Sequence, residues 1–550
     1  MLPASAVDPE IRQQWRENGY WQDISLDQAL SDAAKRFADA PLNIHSDVRP
    51  AQVTLAELRK RGLVLAGALQ KRGIGSGDVV ALQLPNWIEA ALVYQAAAAI
   101  GAVILPIIPI FGEAELGFIL RDARARVLFI PGVWRGTDYV ERVQRMGETP
   151  ELRTVVVVAG DLESVAAGGG SPGEFLTWDH FLANSGPYTP NPTNPDAPAF
   201  MVYTSGTTAN PKGVIHSSNS LLAEVTQSYP EGDDTVRVLS PYPAGHIAGA
   251  LGVLAHLVAG RPTVLFDVWD PIAAVGYIES QRITSTAGTP YHYLGLLDAA
   301  EATHSDLSSL RACGTGGATV PESLVARAER LNIHLFRRYG MSEHPTVTQG
   351  DDADPLDLRM TTDGRARPGV EVRIVDDEGR DVAPGTSGEV ATRGPDMFMG
   401  YTDPEQTCAA ILPGGWYLSG DIGVFDERQC LTIVDRKKDI IIRGGENISS
   451  REIEDLTLRI AGVTEAAAVG MPDERLGERV CIYIIVEPDT HVDLLSVQTA
   501  FASFGVARQK TPERVIVAQA LPRTAAGKIR KVDLRRTLRQ EFAMEKRNNG

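Results

Sequence analysis

Tyr203-Thr204-Ser205-Gly206-Thr207-Thr208-Ala209-Asn210-Pro211-Lys212-Gly213 is the stretch on which the reading of this chain turns. It follows an apolar run at residues 199–202 that reads as a strand, and it precedes a helical pattern starting near Ser217. Its five small residues at 204–208 can turn backbone N–H groups toward an anion, four of them add a hydroxyl, and Lys212 adds charge. Such a set suits a polyphosphate. It is not the common nucleotide loop, because G-x-x-x-x-G-K-S/T occurs nowhere in the chain. A polar turn would account for any one of these residues but poorly for the whole string.

Outward from the loop, the preceding third alternates helix and strand. Thr54 with Glu57 forms a capping-box pattern, opening a helix with apolar positions at Leu55, Leu58, Leu65 and Leu69. Strands are expected at 79–84, 102–105, 127–130 and 154–158, with helices at 86–100 and near 113–120. This alternation predicts an α/β fold: parallel-rich sheets packed by helices, in a large domain of several subdomains. Residues 168–173 read as a surface loop, and the proline-rich 186–198 as an extended connector. Beyond Asp421 the character changes. A strand at 431–434, the charged break Asp435-Arg436-Lys437-Lys438-Asp439 and a strand at 440–443 lead into strands at 465–469, 480–486 and 515–517, with two helices. That is enough for a small α+β domain over 438–550, following a large domain over 1–437.

Further strings follow in order. They are Gly316-Gly317-Ala318, then Arg338-Tyr339-Gly340-Met341-Ser342-Glu343, then Gly415-Trp416-Tyr417-Leu418-Ser419-Gly420-Asp421. Gly444-Gly445-Glu446-Asn447-Ile448 and Pro522-Arg523-Thr524-Ala525-Ala526-Gly527-Lys528 complete the set. Each is weak alone: a glycine pair is usually a turn, a glutamate a solvated charge, a lysine in a basic tail likewise. Together they closely resemble the adenylate-forming superfamily of acyl-CoA synthetases, peptide-synthetase adenylation domains and firefly-type luciferases. The match spans about residues 200–530 and departs at Ala209, Ser419, Ser450 and Ala526.

The resemblance implies a two-step acid–thiol ligase that uses ATP, Mg²⁺ and coenzyme A. Thr204, Ser205, Gly206, Thr207, Thr208 and Lys212 would hold the phosphates. Gly316, Gly317, Ala318, Tyr339 and Gly340 would bracket the adenine, and Ser342 would contact the α-phosphate. Asp421 would accept the ribose hydroxyls and Arg436 would touch ribose and phosphate, while Glu343 would hold the metal. Lys528 would be catalytic, with His246 at the carboxylate end of the acid. The small domain would rotate about Lys438, bringing Gly444, Gly445 and Glu446 to the thiol channel. The acyl pocket would lie around Gly245, Ala248, Gly249 and Met341, where the small Gly245, Ala248, Gly249 and Ala250 leave room for a bulky or long apolar acid. Similarity of residues 84–87 and 106–111 to ligases of medium-chain and alicyclic acids suggests a medium- or long-chain fatty or alicyclic acid. The alternative is an acyl-AMP ligase that loads a carrier protein. Luciferase-like oxidation and a non-catalytic binding protein have less support.

The chain has 550 residues and a formal charge of −17, with 43% hydrophobic and 22% charged residues. That is an ordinary globular composition, and the acidic balance disfavours a nucleic-acid partner. Residues 508–550 nevertheless carry +8 against −25 for the rest, so the positive charge collects around Lys528. The four cysteines are scattered without a C-x-x-C pair, favouring a reducing cytoplasm. The first twenty residues lack a continuous apolar stretch, and no span is apolar enough for an integral membrane segment. The expected partners are the small acid, ATP and CoA, with room for a homodimer.

Overall fold

The computed structural model describes residues 7–160, 173–204, 211–229, 235–318, 320–443, 446–473, 475–488, 490–504, 508–524 and 527–549. Thr54 accepts from the Glu57 N–H at 3.3 Å and caps the helix Leu55–Lys71. Leu55, Leu58, Leu65 and Leu69 of this helix are completely buried. Only the Thr54 half of the expected capping box is formed among the described residues. The alanine-rich helix Ile88–Ala99 is buried on every face. Small side chains permit this, because the helix packs tightly against Leu55–Lys71: a Cβ added at Gly62 would lie 2.5 Å from Gln95 Cβ.

The described residues form four sheets. One has a parallel centre built from Pro41–His45, Thr263–Phe266, Val238–Ser240, Ser285–Gly288, Ala312–Gly316 and Leu335–Tyr339. The second runs parallel through Pro198–Thr204, Val103–Pro106, Val79–Leu82, Ala125–Trp134, Thr154–Ala159 and Glu174–Thr177. An apolar core that includes Leu42, Trp87, Tyr94, Phe200 and Leu254 joins the two through shared helices. A third, antiparallel sheet pairs Glu371–Val375, Gly388–Arg393, Trp416–Phe425 and Leu431–Arg436. The fourth lies in the small C-terminal domain, where Val463–Asp473, Gly477–Val486, Ile441–Arg443, Glu446–Ile448 and Arg514–Val517 associate.

The expected α/β class therefore holds, and the helix expected from near Ser217 is present as Ser218–Ser228. Before it lies a strand the sequence did not suggest, Lys212–Ser217, antiparallel to Pro198–Thr204. The C-terminal region has three α-helices among the described residues, not two: Ser450–Thr457, Leu494–Ser503 and Lys531–Asn549. The surface loop expected at 168–173 lies almost wholly outside the described residues. Among the described residues, no helix is long and apolar enough to cross a membrane.

Candidate active site

Strands Pro198–Thr204, Ala312–Gly316 and Leu335–Tyr339 each end at a motif singled out above, which is where open α/β sheets bind their ligands. Thr204 and Lys212, at the two ends of the glycine- and threonine-rich stretch, pair in register across antiparallel strands. Ser205, Gly206, Thr207 and Thr208 lie outside the described residues. Lys212 Nζ sits 4.9 Å from the centroid of the Tyr401 ring. On the same tyrosine, the hydroxyl donates to Glu343 Oε1 at 2.7 Å and lies 3.2 Å from the Tyr417 hydroxyl. Burial, and then the Glu343 charge, raise the Tyr401 pKa, so it remains a donor. Glu343 is thereby held as an oriented, buried carboxylate close to Lys212.

Tyr339 donates to Asp421 Oδ2 at 2.9 Å, and Arg436 Nε meets Asp421 Oδ1 at 3.0 Å. Asp421 and Arg436 pair in register across neighbouring strands. Each carboxylate oxygen keeps a lone pair for a further donor. Gly340 is tightly constrained, since a Cβ there would lie 2.0 Å from Pro345 O. Ser342 is placed through its carbonyl, which takes a 2.7 Å hydrogen bond from His216 Nε2; His216 Nδ1 in turn lies 3.1 Å from Ser220 Oγ. Burial pushes the His216 pKa down to about 4, so this ring is neutral.

Gly316, Gly317 and Ala318, where the adenine shelf is expected, lie at the end of the strand Ala312–Gly316. Gly316 packs so closely that a Cβ would meet Arg338 O at 2.2 Å, and Gly317 has φ +73°, a left-handed conformation that suits glycine. The shelf is also where the small domain arrives. A Cβ on Gly317 would lie 3.5 Å from Lys528 Cε and 3.8 Å from its Nζ. The Lys528 backbone is held in a turn: Thr524 N donates to Lys528 O at 2.7 Å and Lys528 N to Thr524 Oγ1 at 3.1 Å. Desolvation, then the Arg436 charge, lower the Lys528 pKa to about 8, with Lys438 adding to the effect and Asp421 and Glu343 opposing it.

His246 caps the helix Ile247–Leu257, its Nδ1 accepting from Ala248 N at 3.2 Å. Its ring stacks on Tyr242 at 5.9 Å and 12°. Burial first, then Lys528 and His292, push its pKa down to about 3. A neutral ring with Nδ1 accepting carries its proton on Nε2, so His246 can donate to an acid but is a poor base. Gly245 and Gly249 do not provide the room expected of them. A Cβ at Gly245 would fall 2.5 Å from Ile108 N, and one at Gly249 would fall 2.0 Å from Pro243 O. Their small size admits neighbouring backbone, not ligand. Ala248 and Met341 are half-buried.

Lys438 is exposed in the turn between strands Leu431–Arg436 and Ile441–Arg443. Asp435, just before that turn, accepts from Ser450 Oγ at 3.1 Å and from Arg451 N at 3.3 Å, at the start of the first C-terminal-domain helix. Gly444 and Gly445 lie outside the described residues, and Glu446 opens the strand Glu446–Ile448. Among the described residues no group of three or more His, Cys, Asp or Glu could hold a metal. A lone Glu343 still suits Mg²⁺, which takes one or two carboxylates and completes its shell with water and phosphate oxygens. Tyr401, Tyr417 and His216 went unread in the sequence; Tyr417 lies within a quoted motif, but no local signal marks the other two.

A large α/β body with a small C-terminal domain that brings one lysine to the Gly316-Gly317 strand end is the architecture of an AMP-binding enzyme. The AMP-binding enzyme family model matches residues 30–402, and that of the AMP-binding enzyme C-terminal domain matches 452–528. The chain belongs to this family and is an AMP-forming acid–CoA ligase family enzyme. It is 37% identical to a medium-chain fatty-acid–CoA ligase of Escherichia coli K12, over 97% of this chain and 94% of the relative. It is 31% identical to a salicyl-AMP ligase/salicyl-S-ArCP synthetase of Mycobacterium tuberculosis, over 94% and 91%. Among solved structures, the amide bond synthetase McbA of Marinactinospora thermotolerans superposes with a TM-score of 0.78 at 29% identity, covering 92% of this chain and 99% of that one.

Proposed function

We propose that the protein converts a medium- or long-chain fatty or alicyclic acid to its acyl adenylate, releasing pyrophosphate, and then transfers the acyl group to coenzyme A. The observation that carries this reading is Lys528, from the small domain, standing at the Gly317 shelf among Asp421, Arg436 and Glu343. Adenylation requires one carboxylate oxygen to bond the α-phosphorus as the bond to the pyrophosphate oxygen breaks. An anion must therefore approach a polyanion. The Lys528 ammonium lowers that repulsion and stabilises charge developing on the phosphoryl oxygens. His246 Nε2–H orients the carboxylate, while Tyr339, Asp421 and Arg436 hold the nucleoside. Glu343 would hold Mg²⁺, which when bound neutralises phosphate charge. In the second step the coenzyme A sulfur bonds the acyl carbon, AMP leaves and the thiol proton is released.

In this proposal the domains meet at residues 437–438. Rotation about Lys438 withdraws Lys528 and brings the 444–446 turn to the site. Asp435 supports a hinge there, since its hydrogen bonds to Ser450 and Arg451 cross the turn and would break on rotation. The medium-chain relative favours CoA as acceptor, whereas the name of the salicyl-AMP relative keeps a carrier protein as the second reading. A panel of acids with ATP, run with and without coenzyme A, tests the choice. Pyrophosphate release with thioester formation is the expected result. Release with no thioester from any acid would overturn CoA transfer.

A further inference from the structure

Arg338 stands just before Tyr339, and its side chain takes a different direction from the nucleotide-facing residues. It shares a strand face with Phe336, its guanidinium carbon 5.4 Å from that ring. It also lies directly over Gly314: a Cβ there would come within 2.5 Å of Arg338 Nε and 3.0 Å of Cζ. Gly314 therefore makes room for this guanidinium. Nε is fully enclosed without an acceptor, and the Arg338 side chain makes no ion pair or hydrogen bond among the described residues. Glu224, which shares the Tyr229 neighbourhood with Arg338, is already taken by Arg367 at 3.0 Å, Ser228 at 2.8 Å and Thr346 at 2.9 Å.

The position of this cation matters. The charge of Arg338 reaches Tyr242, and Tyr242 stacks on His246, which lies in the field of Lys528. Arg338 pairs with Gly316 across neighbouring strands, so it stands at the same sheet edge as Gly317, which Lys528 approaches, while Tyr242 stacks on His246. Arg338 is half-buried, and only its Nε is enclosed without an acceptor; an anion reaching the guanidinium would satisfy that buried donor. Its planar fork matches a carboxylate in a two-bond geometry.

We propose that Arg338 is a specificity-determining residue that binds a second carboxylate on the substrate, so that the preferred acid is a dicarboxylic acid with an apolar body. One carboxylate reacts between His246 and Lys528 while the other is anchored at Arg338. A monoacid leaves the guanidinium unpaired. This inference rests on the acid-activating reading above and narrows its substrate class.

The test uses matched pairs, hexanoate against adipate and cyclohexanecarboxylate against its para-dicarboxylate, with pyrophosphate release as readout. The wild-type protein should favour each diacid at least about tenfold in kcat/KM, and Arg338→Leu should lower diacid kcat/KM by about 10- to 100-fold, mainly through KM. Monoacid turnover should hold or improve in the same variant. Arg338→Lys, which keeps charge without the fork, should fall between. Gly314→Ala, which displaces the guanidinium, should mimic the leucine variant. Equal loss for both members of a pair, or a wild-type preference for monoacids, would overturn the proposal. If no acid is turned over, the adenylation reading itself fails, and calorimetry with the same acids still judges the anchor. Tighter diacid binding that Arg338→Leu abolishes supports it; equal binding refutes it.

Discussion

Raising the pH should switch off adenylation through a single group. Lys528 has its pKa lowered to about 8, first by desolvation and then by Arg436. A lysine acts here only as the ammonium, so the active form predominates below that value and is lost above it. With that pKa, roughly nine-tenths of Lys528 is protonated at about pH 7 and one-tenth at about pH 9, predicting about a tenfold fall in kcat/KM for pyrophosphate release. His246, held at about 3, contributes no limb in this range. Lys528→Arg replaces the group with one charged throughout, so its profile should be flat over the same interval even if its rate is lower. Arg436→Gln removes a repelling charge and should move the wild-type limb to higher pH. Initial rates at subsaturating acid, with ATP and magnesium held constant, report the free enzyme. An alkaline limb that persists unchanged in Lys528→Arg would refute the assignment.

Two further predictions concern the small domain and the buried polar core. Lys528→Ala should reduce adenylate formation by about 10²–10³-fold while largely sparing thioester formation from supplied acyl adenylate; equal loss in both half-reactions would contradict its role. Glu224→Gln strips the charge that faces the buried Arg367, and should cost the large domain about 3–5 kcal/mol in chemical denaturation. A loss below about 1 kcal/mol would show that the pair is dispensable.

Much of the site was legible because its motifs are local. Glycine, hydroxyl and lysine side chains at short spacing form patterns readable within a few residues, so the stretch at 203–213 and the Gly316-Gly317 pair stand out. The strand–helix alternation around them is likewise written in hydrophobic periodicity. The Lys212–Ser217 strand was missed for the opposite reason: its pairing with Pro198–Thr204 and with Gly400–Tyr401 is tertiary. Gly245 and Gly249 looked like free space because sequence shows a small residue but not what presses against it.

By itself, then, the sequence determined the α/β alternation, the position of a glycine-, hydroxyl- and lysine-rich stretch suited to phosphate and the location of positive charge in the last segment. Those features arise from side-chain chemistry and spacing within a few residues. Only the tertiary structure decided which groups share a site. Tyr401 orients Glu343 from 58 positions away, Tyr339 meets Asp421 across 82, and His216 holds the Ser342 carbonyl across 126. It also decided that Arg338 stands without a carboxylate over Gly314. Partners so distant along the chain meet only through strand register and helix packing, and burial then sets their protonation, since the cost of desolvating a charge depends on what surrounds it in space.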